Sequence, residues 1–360
     1  MKISIITFHC AHNYGAVLQA YALQEQLKLL GHDVSILDYR PDYLVAPYKL
    51  WNKSRYQGTI QENIKAFIVD LMTLFRRVVK YYRFEQFISR CLTLSSGANN
   101  ISSDVIVVGS DQIWSYRFTK FDPMYFGLID NNKRTPIIAY AASMEGYSLS
   151  TDQINIFKDL ISNIDSISVR EASLKKFVSE MSNKVVTHVL DPTLLIDKKC
   201  WQCFVRPHMS DDKYVLIYDM KNVSNIKTYA ENISRHINCR ILQINPIVHK
   251  EWRRGVKQTS SPAEFIRLFA NASYVVTTSF HGTAFAIIFN IPFVTIKCND
   301  HKESRLLSLL DSLSLNSRLV DSVNFDVNLE IDWTVVNRKL SDLKKISTDF
   351  INTSLNAISK

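Results

Sequence analysis

The chain has 360 residues, of which 46% are hydrophobic, with 43 Lys and Arg against 34 Asp and Glu for a formal charge of +9. That length suits two α/β domains with real cores, and the positive balance favours anionic ligands or surfaces. No apolar run approaches the roughly eighteen residues of a membrane helix, and the basic residues are dispersed, with no zinc finger, RNP-like motif or basic arm. Nucleic acid is therefore set aside in favour of a phosphate-bearing metabolite or an anionic membrane face. The opening strand is too short for a signal peptide, so a cytoplasmic location is expected. The six cysteines are scattered and read as reduced thiols. Cys200 and Cys203 have C-x-x-C spacing but no second pair, so no metal site is expected.

A first strand, Ile3 to Phe8, feeds a turn of His9, Cys10, Ala11, His12, Asn13, Tyr14 and Gly15, and a helix follows from Ala16 to Leu27 and stops near Gly31. Further strands are read at Val34 to Asp38, Val105 to Gly109, Pro136 to Ala142 and Ser166 to Arg170. Their alternation with helices implies a parallel sheet. A helical insertion, residues 45–100, separates the second strand from the third. In it Ile64, Phe67, Ile68, Leu71, Met72, Phe75, Val78, Val79 and Tyr82 recur at helical spacing among Lys65, Arg76, Arg77, Lys80 and Arg83. Such a basic amphipathic helix either packs on its own domain or rests on an anionic membrane surface.

The pattern restarts after Leu190-Asp191-Pro192-Thr193, with strands at Tyr214 to Asp219, Arg240 to Ile244, Tyr274 to Thr278 and Pro292 to Ile296. Ser261 caps a helix opening at Pro262, and Trp333 to Ile358 reads as terminal helix. The expected division is an N-terminal Rossmann-like domain over 1–180, a second over 181–330, a hinge within 172–195, and C-terminal helices over 331–360 that pack back on the first domain.

The run Thr277-Thr278-Ser279-Phe280-His281-Gly282-Thr283 places a histidine where a buried strand turns into a helix. Free backbone N–H groups and the positive end of the helix dipole suit an anion there, and His281 is able to move a proton. The competing reading is a core histidine beside a glycine cap. The turn at His9 to Gly15 is of the same kind, and parallel sheets bind ligands at the carboxyl ends of their strands. Neither turn has dinucleotide or Walker spacing.

Six blocks in order resemble the polysaccharide pyruvyl transferase family across most of the chain. They are Asn13 to Leu23, Val108 to Trp114, Ala139 to Ser143, Ser168 to Glu171, Leu190 to Leu194 and Ser279 to Thr283. The resemblance implies a GT-B-like pair of Rossmann-like domains facing a cleft. It also implies transfer of a pyruvyl group from phosphoenolpyruvate to hydroxyls of a capsule, exopolysaccharide or cell-wall glycan, or of a lipid-linked precursor, at the inner face of the membrane. It assigns His281 the lead catalytic role. Arg170, Ser279, Gly282, Thr283 and Arg305 are expected on the donor, and Asn13, Tyr14, Gly15, Ser110 and Asp111 on the acceptor. Arg170 has an alternative as the partner of Glu171, Arg305 as a solvated helix-start charge, and Asp111 as a helix cap. The chain departs from the pattern at Ala16, where many relatives carry an acidic residue. The rival readings are a nucleotide-sugar glycosyltransferase of the same architecture and a non-catalytic sugar-binding protein. Against the first, no acidic residue stands between Glu264 and Asp300 to hold a ribose.

Overall fold

The structure is a computed structural model describing residues 1–95, 102–129, 134–144, 148–205, 213–251, 253–298, 303–323 and 325–358. The first sheet contains β1 (Lys2–Ile6), β2 (Asp33–Leu37), β3 (Leu94–Ser95), β4 (Val105–Val108), β5 (Ile137–Ala142), β6 (Ser166–Val169) and β7 (Val186–His188). Their order is β3-β2-β1-β4-β5-β6-β7, and every pairing is parallel. The second sheet contains β8 (Tyr214–Tyr218), β9 (Arg240–Ile244), β10 (Val256–Lys257), β11 (Tyr274–Thr277), β12 (Phe293–Ile296) and β13 (Leu319–Val320) in the order β10-β9-β8-β11-β12-β13. It too is wholly parallel. Strands such as Val-Ile-Val-Val at β4 are buried at every position, because helices cover both faces of a parallel sheet.

The longer helices are α1 (Tyr14–Leu29), α2 (Ile60–Cys91), α3 (Thr151–Ser162), α4 (Ala172–Ser182), α5 (Ile226–His236), α6 (Pro262–Ala270), α7 (Phe280–Phe289), α8 (Ser304–Ser312) and α9 (Trp333–Ile358). Local signals set their starts. Asn13 caps α1 by accepting from the Gly15 and Ala16 amides at 2.9 and 3.4 Å, and Ser261 caps α6 by accepting from the Glu264 amide at 3.0 Å. Thr59 and Glu62 form a reciprocal capping box at the head of α2.

The chain is thus an α/β protein of two Rossmann-like domains. The expected boundary at residue 180 falls inside α4, and β7 beyond it still pairs with β6, so the first domain continues through His188. The crossing follows at once, through the helical turn Pro192–Leu195. The last residues of the expected insertion, 96–100, lie outside the described residues. The C-terminal helix α9 packs on the first domain. Ser347 in α9 accepts from the Leu190 amide at 2.9 Å, and the Phe350 ring lies 6.5 Å from that of Tyr140 in β5. Each domain has a private core, but the largest core is common to both. It runs from Ile3, Val17 and Leu23 through Tyr14 to Phe265, Phe285 and Leu310.

Candidate functional site

Strand order fixes where a site belongs. In the first sheet the connections reverse direction between β1 and β4, and in the second between β8 and β11. A crevice opens at the carboxyl ends of strands that flank such a reversal. Both crevices meet in one cleft of about 340 Å³. Asn13 follows β1, Asp111 and Gln112 follow β4, Lys221 follows β8, and Ser279 and His281 follow β11, with Arg305 added from α8. The capped N-termini of α1 and α7 therefore both open on this cleft, which gathers the amide donors that an anion needs.

His281 is the second residue of α7. Its ring rests on Gly15, where a Cβ would lie 2.1 Å from Nδ1, so only glycine leaves room for the histidine. Nε2 points the other way, 3.7 Å from Asp191 Oδ2, beyond hydrogen-bond length but within reach of an ion-pair contact. Asp191 is buried. Its carboxylate accepts from Arg170 Nη1 at 2.6 Å and from the Thr193 amide and hydroxyl at 2.9 and 2.7 Å. Burial works against its ionisation, yet His281, Arg170 and Thr193 together hold the carboxyl well below the usual range.

Arg170 is itself buried beneath the ring of Phe280, whose centroid is 4.8 Å from the guanidinium. Besides Asp191 it faces Glu171 at 3.5 Å and Asp111 at 3.7 Å. Burial alone would lower its proton affinity, and those three carboxylates overcome it and keep the guanidinium charged. Burial pushes the Glu171 carboxyl up, offset in part by Arg170 and by a 2.6 Å hydrogen bond from Ser143.

Of the residues expected in the site, Asn13, Asp111, Ser279, His281 and Arg305 line the cleft. Tyr14, Gly15, Ser110, Arg170, Gly282 and Thr283 lie behind its wall. Tyr14 is committed to the shared core, donating to the Ser260 carbonyl at 2.8 Å and stacking on Phe265. Ser110 donates to the Ala141 carbonyl at 3.0 Å and lies 3.5 Å from Asp191. Gly282 packs so tightly that a Cβ would lie 2.3 Å from Thr277 Oγ1, and the Thr283 hydroxyl meets that of Thr295 at 2.7 Å. In the structure these residues support the wall, and Arg170 holds Asp191 in place. Asp111 accepts from the Gln112 amide at 2.9 Å at a left-handed φ of 71°, with no helix to cap immediately after it.

The first turn also differs from expectation. His9 and His12 are buried and bound to Asp38 and Glu85 at 2.9 and 2.8 Å, and Arg40 joins those two carboxylates. They fasten the turn to β2 and α2 instead of facing the cleft. Sequence reasoning passed over Asp191 as a site residue, together with Lys221 and Gln112. The signal for Asp191 was Asp-Pro-Thr, a helix-cap motif whose second carboxylate oxygen remains available for another partner. Among the described residues, no group of three or more His, Cys, Asp or Glu is arranged to hold a metal ion.

No curated protein matches the sequence significantly. Among solved structures, the chain is similar to a UDP-N-acetylglucosamine 2-epimerase from Rickettsia bellii, with 10% identity, a TM-score of 0.48, and coverage of 100% of this chain and 97% of that one. It is also similar to SsfS6, a glycosyltransferase from Streptomyces sp. SF2575, with 12% identity, a TM-score of 0.43, and coverage of 97% and 96%. The architecture itself rests on the strand order given above. The sequence model of polysaccharide pyruvyl transferases matches residues 13–300, from the Asn13 cap past the His281 turn, and the chain belongs to that family.

Proposed function

We propose that the cleft transfers a pyruvyl group from phosphoenolpyruvate to two hydroxyls of one sugar, in a capsule, exopolysaccharide or cell-wall glycan or its lipid-linked precursor. The observation that carries this reading is the pairing of His281 with a buried, ionised Asp191 at a cleft also lined by Arg305 and Lys221. Phosphoenolpyruvate brings a phosphate and a carboxylate. Arg305, Lys221 and the amides opening α7 suit those anions.

A proton added to the donor's methylene makes the adjacent carbon electrophilic. A sugar hydroxyl adds to that carbon and gives up its proton, the C–O bond to phosphate breaks, and a second hydroxyl adds and closes the ketal. One proton goes to carbon, two leave the hydroxyls, and inorganic phosphate carries away the remainder. His281 takes a proton from a hydroxyl, and Asp191, facing Nε2, stabilises the imidazolium that results. Arg170 and Thr193 hold Asp191 for this task.

The test is phosphate release from phosphoenolpyruvate across galactosyl, mannosyl and N-acetylhexosaminyl acceptors, with mass analysis of the product. Acceptor-dependent release with a pyruvyl gain is expected, and His281→Ala should lower it by about three orders of magnitude. No release with any acceptor, alongside turnover of a nucleotide sugar, would overturn the proposal.

A further inference from the structure

Helix α2 is amphipathic the wrong way round for a surface helix. In its first half the buried positions are Asp70 and Thr73, and Asp70 is held by Tyr56 at 2.6 Å and by Arg55 and Arg77 at 2.5 and 2.8 Å. The side chains left outside are Ile64, Phe67, Ile68, Leu71, Met72 and Phe75, with exposures from 49% at Phe67 to 78% at Phe75. At 100° per residue these six fall on one arc, a stripe of the width that a surface helix normally turns inward. Trp51 is 57% exposed and meets Phe67 edge-on, extending the stripe with a side chain suited to a membrane–water boundary.

Cations rim this stripe. The loop after β9 carries exposed His249, Lys250, Arg253 and Arg254, and Arg76 on α2 ties it down by donating to the Lys250 carbonyl at 3.1 Å. Between loop and helix lies a second cavity of about 430 Å³, lined by Val69, Lys227, His249, Lys250, Glu251 and Arg253. Glu251 pairs with Arg253 at 2.5 Å, which leaves a cationic surplus. Asn222 also lines this cavity, and its neighbour Lys221 lines the cleft, so the rim adjoins the candidate site.

We infer that the exposed face of α2 together with His249, Lys250, Arg253 and Arg254 forms a docking surface for an anionic lipid bilayer. The apolar stripe lies at the level of the upper acyl chains, and Lys250 and Arg253 meet headgroup phosphates. A second copy of the chain would cover the stripe equally well, but it would bring the same cationic surplus along the same edge. The inference stands independently of the reaction assigned to the cleft.

The test mixes the full chain with vesicles of phosphatidylcholine alone, or of phosphatidylcholine and phosphatidylglycerol in equal parts, and sediments them. The protein should pellet with the mixed vesicles. The triple variant Phe67→Ser/Leu71→Ser/Phe75→Ser and the charge variant Lys250→Glu/Arg253→Glu should each weaken that binding about tenfold. Because all five positions are exposed, unchanged circular dichroism is expected in both. The inference fails if the wild type pellets no better with mixed vesicles than without them, or if the triple variant binds as the wild type does. It fails equally if light scattering gives a dimer that the triple variant converts to monomer.

Discussion

Asp191 is where a single atom's charge decides the most. Its neighbours Arg170 and His281 come from β6–α4 and from α7, and the carboxylate faces both. Asp191→Asn preserves shape and removes charge. We expect turnover to fall by about two orders of magnitude while the KM for phosphoenolpyruvate changes little, because Arg305 and Lys221, proposed above to meet its anions, are untouched. Thermal stability should fall by about 3–5 kcal/mol, since the buried Arg170 loses its nearest counter-charge. A variant that loses stability but keeps turnover per folded molecule would make Asp191 structural only. The His281 turn was legible in the sequence because a strand, a serine cap and small helix-start residues are local signals. Asp191 was not, since its partner stands far along the chain and only the closing of two sheets brings them together.

At the scale of elements, α2 shows how much the sequence withholds. Its periodicity announced a helix, and its basic residues fitted either packing on its own domain or resting on an anionic membrane surface. Three of those residues instead reach across the domain seam, Lys80 from a buried position. Arg76 donates to the Lys250 carbonyl, Arg83 to that of Thr259 at 2.8 Å, and Lys80 to those of Asn245 and Pro246. Carbonyls that finish strands and turns attract long cationic side chains, a preference that no period reveals. Burial lowers the Lys80 ammonium to about 7. An unfolded lysine keeps its proton to about pH 10, so above pH 7 the unfolded chain binds more protons, and stability rises with pH. Below about 7 both states are charged and the burial cost is complete. Urea unfolding should show a gain of roughly 2 kcal/mol from pH 7 to about pH 9, and Lys80→Met should flatten it. An equal slope in the variant would assign the gain to other groups. The longer strands were legible from apolar runs, whereas β3, β7, β10 and β13, of two or three residues, are too short to carry a period.

Seen whole, the molecule is less divided than its sequence suggests. One restart of the strand–helix pattern indicated two domains, and two sheets are present. The expectation of separate cores holds only for the outer layers, because α1, α6 and α7 pack one apolar mass between the sheets, with Tyr14 stacked 4.6 Å from Phe265. The sequence could not reveal this, since a buried helix looks the same whether its cover comes from its own half or the other. Calorimetry should accordingly record one cooperative transition, and chains cut after Leu190 should not yield two folded halves. Two well-separated transitions would refute the shared core as a cooperative unit.

The Pro192–Leu195 crossing gives this joined architecture a mechanical meaning. The carboxylate that serves the second domain's histidine is mounted on the strap between the domains and clamped by an arginine of the first. Any relative rotation of the two halves must therefore alter the 3.7 Å gap between Asp191 and His281 directly. Such a strap works as a gear, turning domain posture into the spacing of these two side chains.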